Sequence, residues 1–330
     1  MATRLTVIGA GPGGYVAAIR AAQMGAEVTV IEQENVGGTC LNWGCIPSKV
    51  MITTAELLEK FHRAQEFGVA VEGPVRPDMQ RLMARKAKII QDQSKGILNL
   101  FGRHSIRYIL GKGEIAGPNL ARATDADGQV HEIPWDKLII ATGTRPLNIP
   151  ALPFDGQRIL SSNDALSLEE IPESIVIVGG GVIGCEFAFI LNALGARVTV
   201  VEALPRLLPL PSVDEDCSKI LQREMKKKKI NFLVNRTVES YEQVDGKLRL
   251  TIGPSPFMEK PGPKDQKPLS LDAEKMLICI GRQANSQGIG LETIGVTPDE
   301  RGWIETDERM MTCARDVYAI GDILGPAKIM

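Results

Sequence analysis

An α/β fold of two similar units, each a parallel sheet wound with helices, is predicted by three observations: a repeated segment, the glycine spacing within it and the strand-like runs that bracket it. GAEVTVIE at residues 25–32 returns as GARVTVVE at residues 195–202, an offset of 170 from Gly25 to Gly195. The same offset relates the glycine-rich segments upstream, so the chain contains one device twice. At 330 residues it also exceeds what one hydrophobic core usually serves, and two or three domains are expected.

In the first copy, residues 5–8 should form a strand running into Gly9, Gly11 and Gly14, then an Ala-rich helix to about Met24 and a strand ending at Glu32. In the second, residues 175–178 run into Gly179, Gly181 and Gly184, followed by a helix to about Leu194 and a strand ending at Glu202. Each acid lies 23 positions after the first glycine, Gly9 to Glu32 and Gly179 to Glu202. GxGxxG alone is weak, because turns need glycine. A strand before it, a helix after it and an acid beyond make it a Rossmann-like dinucleotide pattern, with a tight turn, close backbone approach to pyrophosphate and a carboxylate on a ribose hydroxyl. Glu202 would accept from a 2′-hydroxyl and repel a 2′-phosphate, so the second site is expected to prefer NAD over NADP. Arg206 lies near enough to clamp a phosphate but reads more simply as a surface arginine, and residues 226–229 as the solvated end of a helix.

The remaining stretches fit around these units. Residues 54–102 read as helical with an interruption at 73–77, and residues 105–130 as β-rich pieces punctuated by Gly111, Gly113, Gly117 and Gly128. LIIATG at 138–143 and MLICIG at 276–281 close the two halves, and residues 253–268, rich in proline and lysine, read as a mobile surface loop. The expected division is a first nucleotide-binding domain at 1–150, a second at 151–275 and a return segment at 276–330 that completes the first.

The 38 basic and 40 acidic residues give a net charge of −2, which makes no field to gather nucleic acid or an anionic membrane. The apolar runs are strand-sized, short of the roughly 20 residues of a spanning helix. The N-terminus enters a strand with no signal-peptide pattern before it, so a cytoplasmic location and a small soluble substrate are expected. No metal site is expected.

Of the six cysteines, Cys185, Cys217, Cys279 and Cys313 are scattered and read as small buried hydrophobes. Cys40 and Cys45 form a unit in GGTCLNWGCIPSK, at the start of a helix. Residues five apart on an ideal helix have Cα atoms roughly 8.6 Å apart, beyond the ~7 Å reach of a disulfide, so the helix must be distorted there. Gly37, Gly38 and Gly44 supply the freedom, and Pro47 suits a first turn. A strained bridge is easily reduced, and the positive end of the helix should lower a thiol's pKa.

GGTCLNWGCIPSK resembles the redox-active segment of the dihydrolipoamide dehydrogenase family of pyridine nucleotide-disulfide oxidoreductases, and ATGTRP, GGGVIGCEFA and AIGD resemble that family's flavin and nicotinamide motifs in order and spacing. The resemblance covers essentially the whole chain. It implies two Rossmann-like domains of the two-dinucleotide-binding flavoprotein type, with Gly9, Gly11, Gly14 and Glu32 on the ADP half of FAD. Thr142 and Gly143 would lie against the cofactor and Asp322 on its ribitol or pyrophosphate. Gly179, Gly181, Gly184 and Glu202 would hold NAD. Cys45 would be the charge-transfer thiol beside the flavin and Cys40 the interchange thiol. Lys49 would pair with Glu186 and stabilise the anionic reduced flavin. Implied partners are the lipoyl domains of 2-oxo acid dehydrogenase or glycine cleavage complexes, and a second copy of the chain.

Family members continue into a dimer-interface domain whose histidine, paired with a glutamate, serves the partner subunit as acid-base. This chain stops at Met330, and His62, His104 and His131 match no such motif, so they are expected on the surface or in packing. Loss of a general base costs on the order of 10²- to 10⁴-fold, so slow turnover by the chain alone is expected. Two other readings stand beside this one: another disulfide reductase or NADH diaphorase of the superfamily, and a cofactor-binding module without turnover.

Overall fold

The computed structural model describes residues 2–258, 262 and 267–326. The chain forms two compact units, one of Met1–Pro47, Ala87–Arg145 and Arg282–Met330, the other of Ser48–Lys86 and Pro146–Gly281.

In the first unit β1 (Arg4–Ile8) leads through the glycine turn into α1 (Pro12–Gln23), which begins on a proline whose missing N–H costs nothing there. β2 (Glu27–Glu32) pairs parallel with β1, Val7 opposite Val30. Two helices follow, α2 (Gly38–Trp43) and α3 (Cys45–His62), and α3 carries the chain into the second unit. α4 (Met79–Arg103) brings it back. β3 (Arg107–Gly117), β4 (Leu120–Asp125) and β5 (Val130–Pro134) make an antiparallel meander, β6 (Lys137–Ile140) lies parallel to β1, and a short β7 (Thr144–Pro146) leaves the unit.

The second unit holds the second copy of the device. β8 (Ile159–Leu160) and the short helix α5 (Ser162–Ala165), capped reciprocally by Ser161 and Asp164, precede β9 (Ser174–Val178), whose five residues are all buried. α6 (Val182–Leu194), β10 (Arg197–Val201), α7 (Glu215–Lys227) and β11 (Asn231–Leu233) follow. β12 (Arg236–Val244), β13 (Lys247–Pro254) and β14 (Leu269–Ala273) form an antiparallel sheet, and β15 (Lys275–Ile278) closes the parallel one in the order β11-β10-β9-β15-β8. Side chains of both sheets, among them Val176, Val201 and Ile278 with Leu248, Leu250 and Ile252, share one core.

The return to the first unit adds β16 (Arg282–Ala284), which pairs with β7, and β17 (Val317–Ala319), which completes the order β17-β6-β1-β2-β3-β4-β5. Successive strand residues point to opposite faces. β1 accordingly sends Leu5 and Val7 into a core with Val28, Val30 and Phe101, and Ile8 into another with Ile31, Ile115, Trp135 and Ile140.

The α/β fold and the repeat agree with the sequence reading, and the first repeat's last strand ends at Glu32 as expected. The domain limits differ in three places, since residues 146–150, 276–281 and 48–86 all group with the second unit. β15 is parallel to β9, Met276 opposite Val176, so residues 275–281 belong to the second unit and the return begins at Arg282. Ser48–Lys86 also groups with the second unit, where Lys49 pairs with Glu186, Lys228 with Glu59, and Lys86 bonds the Leu166 carbonyl. The interruption expected at 73–77 already begins after His62, with a 3-10 turn at Ala64–Phe67 ended by a left-handed Gly68. The expected loop at 253–268 starts later, because β13 runs to Pro254. Its residues 259–261 and 263–266 lie outside the described ones.

Candidate functional site

The first cradle is built by backbone contacts that only glycine permits. Gly9 has φ +103°, and a Cβ there would lie 2.2 Å from the Ala141 carbonyl oxygen; one on Gly14 would lie 1.9 Å from the Gly9 carbonyl oxygen. The start of α1 is thereby pressed onto the end of β1. Gly11 offers no side-chain cap and the first turn carries no acid, so the positive end of the helix is open to an anionic group. Glu32 Oε2 accepts from Ala10 N–H at 2.7 Å and Oε1 from Glu34 N–H at 2.9 Å, while burial pushes its carboxyl up.

The second cradle repeats these contacts within its own unit. A Cβ on Gly179, φ +105°, would lie 2.3 Å from the Cys279 carbonyl oxygen, and one on Gly184 1.9 Å from the Gly179 carbonyl oxygen. Gly181 leaves the first turn of α6 uncapped and free of acids. The buried Glu202 accepts from Gly180 N–H at 2.5 Å and from Leu204 N–H at 2.7 Å. The amide partners of the two glutamates, Ala10 with Glu34 and Gly180 with Leu204, are again 170 residues apart. Both carboxylates are thus anchored to the turn by backbone amides, a role the sequence did not suggest. A carboxylate has about four lone-pair sites, so two remain for a ribose.

The thiol segment sits on the first cradle. Gly37 N–H donates to the Ala10 carbonyl at 2.8 Å, and a Cβ on Gly38 would lie 2.6 Å from the Gly11 Cα. Gly37 and Gly38 have φ of +93° and +56°, which L side chains rarely adopt. Asn42 Nδ2 ties the start of α2 down by donating to the Val36 and Gly38 carbonyls. The expected helix distortion is a complete break at Gly44, which separates Cys40 on α2 from Cys45 at the head of α3.

Cys40 and Cys45 are thiols joined by a side-chain hydrogen bond. Burial, then Cys45, and to a lesser degree the charge of Asp322, push the Cys40 thiol up to about 11. At Cys40 burial therefore sets the direction, opposite to the lowering expected of a thiol at a helix end. Cys45 is the more exposed of the two.

Thr142 Oγ1 is buried without a protein partner, and Gly143, φ +63°, has nothing within 4 Å of the position a Cβ would take. An unsatisfied hydroxyl beside an open glycine fits a hydrogen-bonding cofactor. Asp322 Oδ2 accepts from Thr144 Oγ1 at 3.2 Å. In the second unit Lys49 Nζ meets Glu186 Oε1 at 2.5 Å. An apolar cavity of about 440 Å³ in that unit, lined by residues such as Ile52, Phe189 and Leu221, lies beside Glu186.

Several readings are corrected. Arg206 is not a free surface arginine: it donates to Ser218 Oγ at 2.7 Å and to the Leu210 and Val213 carbonyls, bracing the loop after Glu202. Cys217 and Cys313 are exposed and Cys279 is half-buried, so of the four packing cysteines Cys185 is the one fully inside. Lys228, taken as solvated, pairs with Glu59. His62 is exposed and His104 half-buried, and His131 Nε2 lies 2.9 Å from Asp125 Oδ2, as placement on the surface or in packing requires. Sequence reasoning missed Arg282, which donates through Nε to Thr144 Oγ1 at 2.6 Å and through Nη2 to the Thr144 carbonyl at 2.8 Å. It also missed Asn285, whose Nδ2 donates to the Thr142 carbonyl at 2.9 Å. An arginine directly after the closing strand was the only local signal.

Among the described residues no helix is long and apolar enough to cross a membrane, and no cluster of His, Cys, Asp and Glu could hold a metal ion. The family model for pyridine nucleotide-disulphide oxidoreductases matches residues 3–330. Dihydrolipoyl dehydrogenase of Bacillus subtilis is 38% identical over 329 residues, 97% of this chain and 67% of that protein. The mitochondrial dihydrolipoyl dehydrogenase of Mesocricetus auratus is 37% identical, over 98% of this chain and 66% of its own length. Among solved structures, LpdA from Mycobacterium tuberculosis superimposes with a TM-score of 0.86 at 27% identity, over 98% of this chain and 68% of the other. The Cu(II) complex of the HOCl-induced flavoprotein disulfide reductase RclA from Escherichia coli gives 0.81 at 25% identity, over 99% and 67%. The chain spans about two thirds of the length of the curated relatives it matches.

Proposed function

Because the chain belongs to the pyridine nucleotide-disulphide oxidoreductase family, we propose that it is an FAD-dependent enzyme that oxidises dihydrolipoamide through Cys40 and Cys45 and reduces NAD. The observation that carries this reading is the hydrogen-bonded thiol pair seated on the first glycine cradle, Gly37 on Ala10 and Gly38 on Gly11. A redox pair and a dinucleotide turn have no structural need to share a contact so close that it demands glycine at Gly38.

In the exchange, a substrate thiolate attacks Cys40 Sγ of the Cys40–Cys45 disulfide and releases Cys45 as a thiolate; the second substrate thiol then displaces Cys40. The substrate leaves as a disulfide and the pair, now two thiols, has gained two electrons. FAD, when bound, would supply the two-electron chemistry that links thiol oxidation to hydride transfer. Cys45, the exposed thiol at the head of α3, is the one assigned to the flavin, and Cys40 to the substrate. Gly9, Gly11, Gly14, Glu32, Thr142, Gly143 and Asp322 would hold FAD, and Gly179, Gly181, Gly184 and Glu202 would hold NAD with a preference over NADP. Lys49, fixed by Glu186, would supply a cation for reduced flavin.

Exchange requires an acceptor for the proton of the attacking substrate thiol, while Cys40, released as a thiol held near 11, takes up a proton at neutral pH. The groups that bear on Cys40 are Cys45 and Asp322, and neither suits that role. The acceptor assigned by the family resemblance is a histidine of a partner subunit. Lipoyl domains of 2-oxo acid dehydrogenase or glycine cleavage complexes are the proposed partners, in the cytoplasm.

Stopped-flow mixing of the purified protein with NADH tests the proposal. A long-wavelength thiolate–flavin band is expected, and flavin bleaching without it would remove the thiol assignment. The likeness to the flavoprotein disulfide reductase supports a second reading, the same half-reaction with another acceptor. NAD reduction supported by dihydrolipoamide in the purified protein decides for the first.

A further inference from the structure

We infer that Arg282 is a positioning residue of the thiol centre, acting through Thr144 on the cysteine-bearing segment at Thr39 and on Asp322. The inference rests on the proposed thiol chemistry of Cys40 and adds a residue to it. Arg282 is half-buried, and a guanidinium withdrawn from water must spend its donors on fixed partners. Nε donates to Thr144 Oγ1 at 2.6 Å, and Nη2 to the Thr144 carbonyl at 2.8 Å and, more weakly, to Thr39 Oγ1 at 3.4 Å.

Each hydroxyl in this cluster both accepts and donates. Thr144 Oγ1, having accepted from Arg282, donates to Asp322 Oδ2 at 3.2 Å; Thr39 Oγ1 donates to the Thr144 carbonyl at 3.4 Å. One side chain therefore closes a ring through Thr39, the residue before Cys40, and is linked by a single hydroxyl to Asp322. Asp322 is the carboxylate whose charge bears on Cys40, and also the one whose charge bears on Arg282. The cation and the thiol thus share one anion. With Arg282 present, part of the Asp322 field is offset and the Cys40 segment is held; without it, the same carboxylate faces Cys40 uncompensated and disfavours its thiolate.

The test reads Cys40 by alkylation in NADH-reduced holoenzyme, with iodoacetamide as probe and mass spectrometry of the Cys40 peptide as readout. Arg282→Met is expected to slow alkylation at pH 9 about tenfold, the change given by one pKa unit, and Arg282→Lys to recover part of it by restoring charge without the fork. Thr144→Val, which breaks the relay and leaves the arginine, is expected to slow alkylation in the same direction. An unchanged rate against pH in both Arg282→Met and Thr144→Val, with FAD retained, would overturn the inference. So would loss of FAD from Arg282→Met alongside an unchanged profile in Thr144→Val, which would make the arginine a cofactor ligand only. Absence of the thiolate–flavin band from the parent protein would instead fail the proposed function, and is seen before any variant is made.

Discussion

Gly38 and Gly11 meet so closely that a Cβ on Gly38 would come within 2.6 Å of the Gly11 Cα, although the two residues belong to different motifs. The turn that would hold a dinucleotide and the segment that carries the thiols are therefore one backbone assembly, and neither can shift alone. Gly38→Ala should break it twice, through the clash and through its φ of +56°. The backbone conformation alone costs roughly 1–2 kcal/mol. Gly128→Ala, at φ +80° with nothing within 4 Å, bears only that cost and is the matched control. Thermal unfolding should show a larger loss in Gly38→Ala than in Gly128→Ala, and only Gly38→Ala should lower FAD content. Equal losses would mean that the approach of the two glycines carries no energy.

Glu202 separates the two cradles experimentally. Its two carboxylate oxygens accept from Gly180 and Leu204 N–H, so Glu202→Gln sets an amide NH₂ against one of these donors. An unsatisfied buried donor costs about 1–3 kcal/mol, and the turn it anchors is the one proposed for NAD. Titration with NADH should show a Kd raised about tenfold or more, with FAD content unchanged, since FAD is assigned to the other cradle. Equal loss of both cofactors would show that the repeat does not divide them.

The pH dependence of Cys40 follows from its burial. With its thiol pushed from 9.0 up to about 11, the folded protein binds a proton there that the unfolded chain has already lost. Folding stability from this group is complete below about pH 9 and falls as pH rises toward 11. In the reduced protein, alkylation of Cys40 should keep rising with pH to about 11, beyond the plateau of an ordinary thiol. A plateau near 9 would place Cys40 in water.

Much of the fold was legible because it repeats. The spacing from Gly9 to Glu32 and from Gly179 to Glu202 encodes contacts that cannot be made otherwise, Gly14 on the Gly9 carbonyl and Gly184 on the Gly179 carbonyl. A distortion between Cys40 and Cys45 was legible from helix geometry once the two were taken as a bridged pair, and it takes the form of a break at Gly44. The Arg282 cluster was not, since it gathers positions 39, 144, 282 and 322 from four segments and leaves no period in any of them. Nor could local pattern say that α3 groups with the second unit. An amphipathic helix records that one face is buried, not against what. Arg206 shows the same limit: its position after a strand reads as a surface arginine, and its partners are Ser218 and two loop carbonyls.

Lys49 and Glu186 distinguish a structural ion pair from a functional one. Their side chains are 62% and 30% exposed, and a pair in that setting contributes within about 1 kcal/mol. Lys49→Met should leave thermal unfolding nearly unchanged for this reason. If the lysine instead serves reduced flavin, the same substitution removes a charge from the transition state for flavin reduction, and a loss of about 1.4 kcal/mol there slows the step about tenfold. Glu186→Gln retains the cation but frees its position, so its rate should fall less than that of Lys49→Met. Flavin reduction by NADH, followed in the stopped-flow, gives both rates. An unslowed Lys49→Met enzyme would reduce the pair to a surface contact, whereas slowing with an unchanged melting temperature assigns the cation to the reaction.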